Sequence, residues 1–235
     1  TAGFVHSDFR DLTVYTEVIQ DGMLDLIDAG KLNFASGTAF SPSPEGMARF
    51  FKDIDKYKKY MILRPQEIPV YVAEGLFDVG ITGRDWVEET ASEVTSLGEL
   101  QYSKATDNPV RIIVAVPNDS PYEQVADLPQ GVRVSSEYPE LTRRYFAEQG
   151  IEADIRLSYG ATEAKVPDIV DCIVDITETG RAIRAAGLRI IDTILTSYTE
   201  LIANPEAHQD PDKRHAMEQI KTLLDGTLEA RGKVL

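Results

Sequence analysis

Short apolar runs alternate with helical patterns along most of this chain, and that alternation limits the possible folds more than any other feature. Residues 61–63, 78–82, 110–116, 132–135, 173–176 and 188–194 read as strands, and 154–157 as extended. Between them, helices are expected from Pro69 to near Gly75, around Trp86, from Ser120-Pro121, over 139–149 before Gly150, over 179–186 and over 210–231. The last is amphipathic through Met217, Ile220, Leu223, Leu224 and Leu228. Nearer the N-terminus the pattern gives a strand at 12–18, a helix at 22–29 stopped by Gly30 and an extended run at 32–40. A further helix is opened by Ser43-Pro44, with Met47, Phe50, Phe51, Ile54 and Tyr57 on one face. Strands interleaved with helices predict an α/β fold with largely parallel sheets. The polar stretch 102–109 is the natural crossing between two lobes, and the chain is expected to return to the first lobe after Ala182. Lobe I is thus 1–104 plus 183–235 and lobe II 105–182, with a cleft between them.

Charge narrows the partners. The chain carries a net charge of −15, a poor basis for holding nucleic acid, where Lys and Arg must meet phosphates. Polyphosphate substrates would have to be held by local devices: backbone amides, helix N-termini, a few placed basic groups and Mg2+. No stretch approaches the roughly 20 apolar residues of a membrane span. The single cysteine, Cys172, excludes an internal disulfide and fits a reducing cytoplasm. It sits in the apolar run Cys172-Ile173-Val174 and reads as a core residue. His6, His208 and His215 make no metal pattern and read as surface residues.

The most informative stretch is Asp171-Cys172-Ile173-Val174-Asp175-Ile176-Thr177-Glu178-Thr179-Gly180. An apolar strand ends in an acid, then a small polar loop with glycine, then a helix. Loop amides and a helix start can cradle a phosphate, and the carboxylate at the strand end can hold Mg2+ or sugar hydroxyls beside it. The same residues also make a plain helix start, since Thr and Glu are common there. Gly160-Ala161-Thr162-Glu163-Ala164-Lys165 is a polar turn bearing an acid and a base, and it also reads as a solvated loop. Neither a P-loop nor a glycine-rich dinucleotide motif is present.

Together these segments resemble one family. "SSEYPELTRRYFAEQG", "SYGATEAKVPDIVDCIVDITETGRAIRAAGLRIIDTIL" and "LIANPEA" follow the order and spacing of ATP phosphoribosyltransferases, as do "ILRPQEIPVYVAEGLFDVGITGRDWVEE" and "RIIVAVPNDSP". The resemblance runs from about residue 60 to the end. It implies transfer of phosphoribosyl from phosphoribosyl pyrophosphate to N1 of ATP, with Mg2+ and release of pyrophosphate. It also implies two α/β lobes of the periplasmic-binding-protein type II kind, in a cytoplasmic homo-oligomer, dimer or higher. Carried over residue by residue, the phosphoribosyl loop falls on Asp175, Thr177, Glu178, Thr179, Gly180, Arg181 and Ala182. Ala182 stands where many members have a hydroxyl. Glu163 matches an acid that meets Mg2+ or the ribose, so Glu163 and Asp175 are the catalytic and metal candidates. Arg64, Asp85, Thr142 and Arg143 match residues near ATP. No general base emerges.

The first sixty residues lack the "PKG" type loop that opens this family. "LTVYTEVIQDGMLDLIDAGKLNFASGTAFSPSPEG" and "YMILRPQEI" resemble a segment of the acetyl-CoA hydrolase and succinate CoA-transferase family instead, without the glutamate that family uses downstream. Glu17 lies in the matching segment and takes no catalytic role. A hybrid chain with impaired turnover is therefore expected, and feedback through a C-terminal histidine-binding domain is not. A non-catalytic two-lobed binding module and a CoA-transferase fragment remain as alternatives.

Overall fold

The computed structural model describes residues 34–36, 60–100 and 109–231. The expected strand at 12–18, the helices at 22–29 and after Ser43, Glu17, His6 and most of the 102–109 crossing lie outside the described residues. The chain divides into two compact units, one containing residues before Ser103 together with Thr199 onward, the other Ser103–Tyr198.

In the first unit, β1 (Phe34–Ser36), β2 (Tyr60–Ile62), β3 (Val79–Gly83), β4 (Thr95–Leu100) and β10 (Thr199–Ala203) form one sheet in the order β2-β1-β3-β10-β4. β1 runs parallel to β2 and β3, whereas β10 runs antiparallel to β3 and β4. β3 is apolar and buried because both faces are covered. On one side Val79, Ile81, Leu201 and Ala203 meet Ala216, Met217, Ile220 and Leu224 of α6 (Pro211–Arg231). On the other, Ile202 meets Ile68 and Val72 of α1 (Ile68–Ala73) and Val87 of α2 (Arg84–Thr90). Truncating the fully buried Ile220 to Ala would cost about 2–5 kcal/mol. Leu223, expected on the same apolar face, is exposed, since it falls off the stripe set by positions 217, 220 and 224.

Asn204 caps α5 (Pro205–Gln209) by accepting from the Ala207 amide at 2.9 Å, and its Nδ2 donates to the Val72 and Ala73 carbonyls at 3.0 and 3.3 Å. Those carbonyls close α1, and that of Val72 also accepts from the Gly75 amide at 3.1 Å. The "LIANPEA" stretch is thus a structural joint between three elements.

In the second unit, β5 (Val110–Pro117), β6 (Arg133–Ser136), β7 (Asp154–Leu157), β8 (Cys172–Thr177) and β9 (Leu188–Ser197) are ordered β7-β6-β8-β5-β9. β6, β7 and β8 are parallel, and β5 is antiparallel to β8 and β9. α3 (Pro139–Glu148) and α4 (Arg181–Ala185) connect them. Ile113, Ala115, Val170, Ile173, Ile183 and Leu188 form one buried cluster. Cys172 is fully buried and its thiol is pushed up to about 12 by that burial, so it is a core residue.

Several expectations are corrected. Both sheets are mixed rather than largely parallel, because β4, β10, β5 and β9 all pair antiparallel. The return to the first unit comes at Thr199, not after Ala182, because β9 pairs with β5 from Leu188 to Ser197 and holds that segment in the second unit. No α-helix follows Ser120-Pro121. Arg189 donates to the Ser120 and Tyr122 carbonyls at 2.9 and 2.7 Å, which keeps that stretch open until a single 3-10 turn at Val125–Asp127.

Candidate functional site

Because β6, β7 and β8 are parallel, their C-terminal ends share one edge of the second unit's sheet, the edge where open α/β sheets take ligands. Ser135, Ser136 and Glu137 lie at the end of β6, Ser158 just past β7, and Asp175 and Thr177 at the end of β8. The Ser158 amide donates to the Ser136 carbonyl at 2.8 Å, which extends the β6–β7 pairing to this edge. After β7 the backbone turns at Gly160 and Ala161, both at positive φ, into a 3-10 turn over Thr162–Lys165. That turn brings Glu163 and Lys165 back over the strand ends. Lys165 Nζ donates to Ser158 Oγ and, at 3.4 Å, to Ser135 Oγ, and Thr162 Oγ1 lies 2.8 Å from Ser158 Oγ.

Asp175 shows the electrostatics of this edge. Its carboxyl is pushed up to about 6, first by burial and then by the charges of Glu137 and Glu163. The Ile176 amide, donating to Oδ1 at 2.8 Å, and the charge of Lys165 act the other way. Glu163 and Asp175, paired in the sequence reading, are therefore neighbours by charge. Glu137 joins them, although nothing in its local sequence marked it. Among the described residues no ready-made group of three His, Cys, Asp or Glu side chains could hold a metal ion. Two neighbouring hard-oxygen donors nevertheless suit Mg2+, which keeps several waters and takes further oxygens from a phosphate substrate.

The loop after Asp175 folds on its own hydroxyls. Thr177 is nearly buried and its Oγ1 accepts from the Gly180 amide at 2.9 Å. Thr179 Oγ1 accepts from the Arg181 amide at 3.4 Å, and Arg184 donates to the Thr179 carbonyl at 3.1 Å. Gly180 has φ +70°, a conformation that costs any other residue. The helix that follows spans only Arg181–Ala185, shorter than expected over 179–186, so its dipole is small. Glu178, Arg181 and Ala182 sit on the open side of this loop, with Arg181 and Ala182 exposed.

A second edge of the same kind occurs in the first unit, at the ends of β2 and β3. Thr82 Oγ1 donates to the Pro65 carbonyl at 2.9 Å and ties the turn bearing Arg64 to the end of β3. Arg64 is exposed, while Asp85 in the first turn of α2 is 4% exposed. The two expected ATP residues of this unit thus share an edge. Arg84, between them in the chain, is ion-paired with Glu88 and stands 3.7 Å from Glu200 of β10. Burial pushes the Glu200 carboxyl up, and its Oε2 is buried with no hydrogen bond. Glu200 was invisible in the sequence because β10 itself was. The other two, Thr142 and Arg143, lie in the second unit on α3. Thr142 is fully buried, 2.6 Å from the Tyr138 carbonyl and 3.0 Å from Ser136 Oγ, so it braces the end of β6. Arg143 is half exposed and ion-paired with Glu140 at 2.5 Å.

Against this geometry, the family model described as "HisG: ATP phosphoribosyltransferase" matches residues 64–226, which contains both edges.

The chain belongs to the ATP phosphoribosyltransferase family.

It is accordingly an enzyme of the phosphoribosyltransferase kind, of the first step of histidine biosynthesis. Relatives bearing that name include proteins from Chlorobium luteolum, 42% identical over 217 residues, and Pelotomaculum thermopropionicum, 45% identical over 180. The first alignment covers 92% of this chain and 70% of the relative, the second 77% and 62%. Among solved structures, an ATP phosphoribosyl transferase (HisG:HisZ) complex from Thermotoga maritima matches 84% of this chain and 98% of its own, with TM-score 0.66 and 24% identity. An arginine-bound form of ArgBP from T. maritima matches 86% and 99%, with TM-score 0.50 and 14% identity. At such identities these two show the fold alone, two α/β units of the type II binding-protein kind.

The comparisons also correct the reading of the N-terminus. An alignment covering 92% of the chain reaches well into the first sixty residues, so likeness to ATP phosphoribosyltransferases does not begin at residue 60. The hybrid with a CoA-transferase is dropped, together with the CoA-transferase fragment and the impaired turnover argued from it.

Proposed function

We propose that this chain transfers phosphoribosyl from phosphoribosyl pyrophosphate to N1 of ATP, with the donor held on the second unit's edge. The observation that carries this reading is the Asp175 carboxylate beside Glu163, set directly before a loop that turns at Gly180. In it, the amides of Gly180 and Arg181, now donating to Thr177 and Thr179, pass to the 5′-phosphate, and the freed hydroxyls add donors of their own. Ala182 supplies no hydroxyl, so the phosphate rests on the loop. Asp175 and Glu163 face the ribose and would hold Mg2+, which would supply positive charge to the leaving pyrophosphate. Displacement at an anomeric carbon passes through an oxocarbenium-like state, which nearby carboxylates favour.

Arg64 and Asp85 on one unit and Arg143 on the other bind ATP in this reading, with Thr142 supporting the end of β6 from within. The chain works in the cytoplasm as a homo-oligomer, dimer or higher, as the family resemblance implies. Its net charge of −15 disfavours nucleic acid, and no described helix is long and apolar enough to cross a membrane.

The test is calorimetry of phosphoribosyl pyrophosphate with Mg2+ against the protein and Gly180→Val. A Cβ at this position would stand 2.9 Å from Arg184 Nη1 and 3.4 Å from Ile190 Cδ1, at a φ that L side chains avoid. Loss of binding in the variant is expected. Unchanged affinity would remove the donor site from this loop.

A further inference from the structure

The proposed donor site presents an electrostatic problem. Its wall carries Asp175, Glu137 and Glu163, the whole chain is strongly acidic, and the phosphoribosyl donor is a polyanion. Loop amides offer partial charges only. Lys165 brings a full positive charge to the same edge and favours the ionised form of Asp175.

Lys165 is held differently from four arginines of this unit. Arg133, Arg143, Arg156 and Arg189 are closed into ion pairs with Asp171, Glu140, Asp154 and Glu123. Among the described residues Lys165 makes no ion pair, although Asp175 lies within range of its charge. Its ammonium donates instead to two neutral hydroxyls, Ser158 and Ser135, which are 3% and 1% exposed and stand on adjacent strand ends. Ser158 is fixed in turn by Thr162 at 2.8 Å. An ammonium has three protons, and two hydroxyls leave one for a ligand. The turn that delivers Lys165 is itself strained, since Ala161 holds φ +49°, which costs a non-glycine residue about 1–2 kcal/mol. Such conformations cluster where the backbone must place a functional group.

We propose that Lys165 binds a phosphate oxygen of the phosphoribosyl donor directly, as the cation that faces the acidic wall of the site, with Ser135 and Ser158 as the hydroxyls that aim it. The inference rests on the donor site proposed above and names a residue that reading does not use. Before the donor arrives, Lys165 screens Asp175 from Glu137 and Glu163. Once it is bound, the third proton meets the phosphate and the two hydroxyls keep the ammonium from collapsing onto a carboxylate.

Lys165→Gln keeps a donor that can reach the serines and removes the charge, whereas Lys165→Arg keeps the charge. By calorimetry with Mg2+, Lys165→Gln is expected to weaken phosphoribosyl pyrophosphate binding at least tenfold and to leave ATP binding within twofold, with Lys165→Arg in between. Donor affinity of Lys165→Gln within twofold of the unaltered protein, while Gly180→Val loses the donor, would remove Lys165 from an otherwise valid site. Both variants unchanged would remove the site and the inference together. A measurement on the unaltered protein needs no folded variant: labelling by a lysine-reactive reagent, read by mass spectrometry. Protection of Lys165 by phosphoribosyl pyrophosphate with Mg2+, and not by ATP, is expected. Equal labelling with and without the donor would overturn the inference.

Discussion

Gly83 leaves its side-chain space to the carboxylate of Asp85. A Cβ at position 83 would collide with Asp85 Oδ1 and stand 3.2 Å from its Cγ. The backbone at Gly83 is ordinary, φ −82° and ψ 147°, so a side chain is excluded by Asp85 alone and not by backbone strain. Gly83→Ala is therefore expected to expel the Asp85 carboxylate from its buried place at the start of α2. The expected outcome is ATP binding weakened about tenfold, the size of one lost charged hydrogen bond. Donor binding should be unaffected. Titration of each substrate by calorimetry checks both halves.

Asp175 makes stability depend on pH in a definite direction. Burial opposes ionisation of its carboxyl and pushes it up to about 6 in the folded protein, from an ordinary value of 3.8. Above pH 6 both folded and unfolded chains hold it ionised, and the opposition is fully present. Between pH 6 and 4 the folded chain takes up the proton first, and the opposition fades, to vanish below about 4. Asp175→Asn is thus expected to stabilise the protein by about 1–2 kcal/mol at pH 7, with no gain at pH 4, while abolishing transfer. Denaturant unfolding at the two pH values checks it.

Asn204 is expected to be costly to remove. Asn204→Ala loses the α5 cap and two donors to the end of α1, at a site 8% exposed. Uncapping and the orphaned Ala73 carbonyl together should cost about 2–3 kcal/mol. Urea unfolding measures the loss, and donor affinity at the second unit's edge should not change.

The parts of the fold written in continuous apolar runs were legible, since β3, β5 and β8 are buried on both faces and need such runs. β4 and β10 were not. Ser96, Gly98 and Glu99 make β4 look like a loop, and Glu200 sits inside β10 because Arg84 lies 3.7 Å away. Ser120-Pro121 resembles a helix start locally, but Arg189, far along the chain, claims its carbonyls. The site divides in the same way. Asp175 and the loop from Thr177 to Gly180 are contiguous, so one stretch of sequence shows an acid, two hydroxyls and a glycine turn. Glu137, Lys165, Ser135 and Ser158 meet only through the register of β6 with β7 and β8. Thr142 carried the right neighbourhood but not its direction: the hydroxyl turns inward to Ser136 and the Tyr138 carbonyl.

In the proposed function, the donor edge and the Arg64–Asp85 edge serve one transfer reaction. Pyrophosphate release from purified protein tests it most directly, with phosphoribosyl pyrophosphate, ATP and Mg2+ supplied together and with each left out in turn. Release that requires all three, at about 1 per second or faster, and that is lost in Asp175→Asn, is the expected result. Release that proceeds without ATP, or none although both substrates bind, would contradict the account.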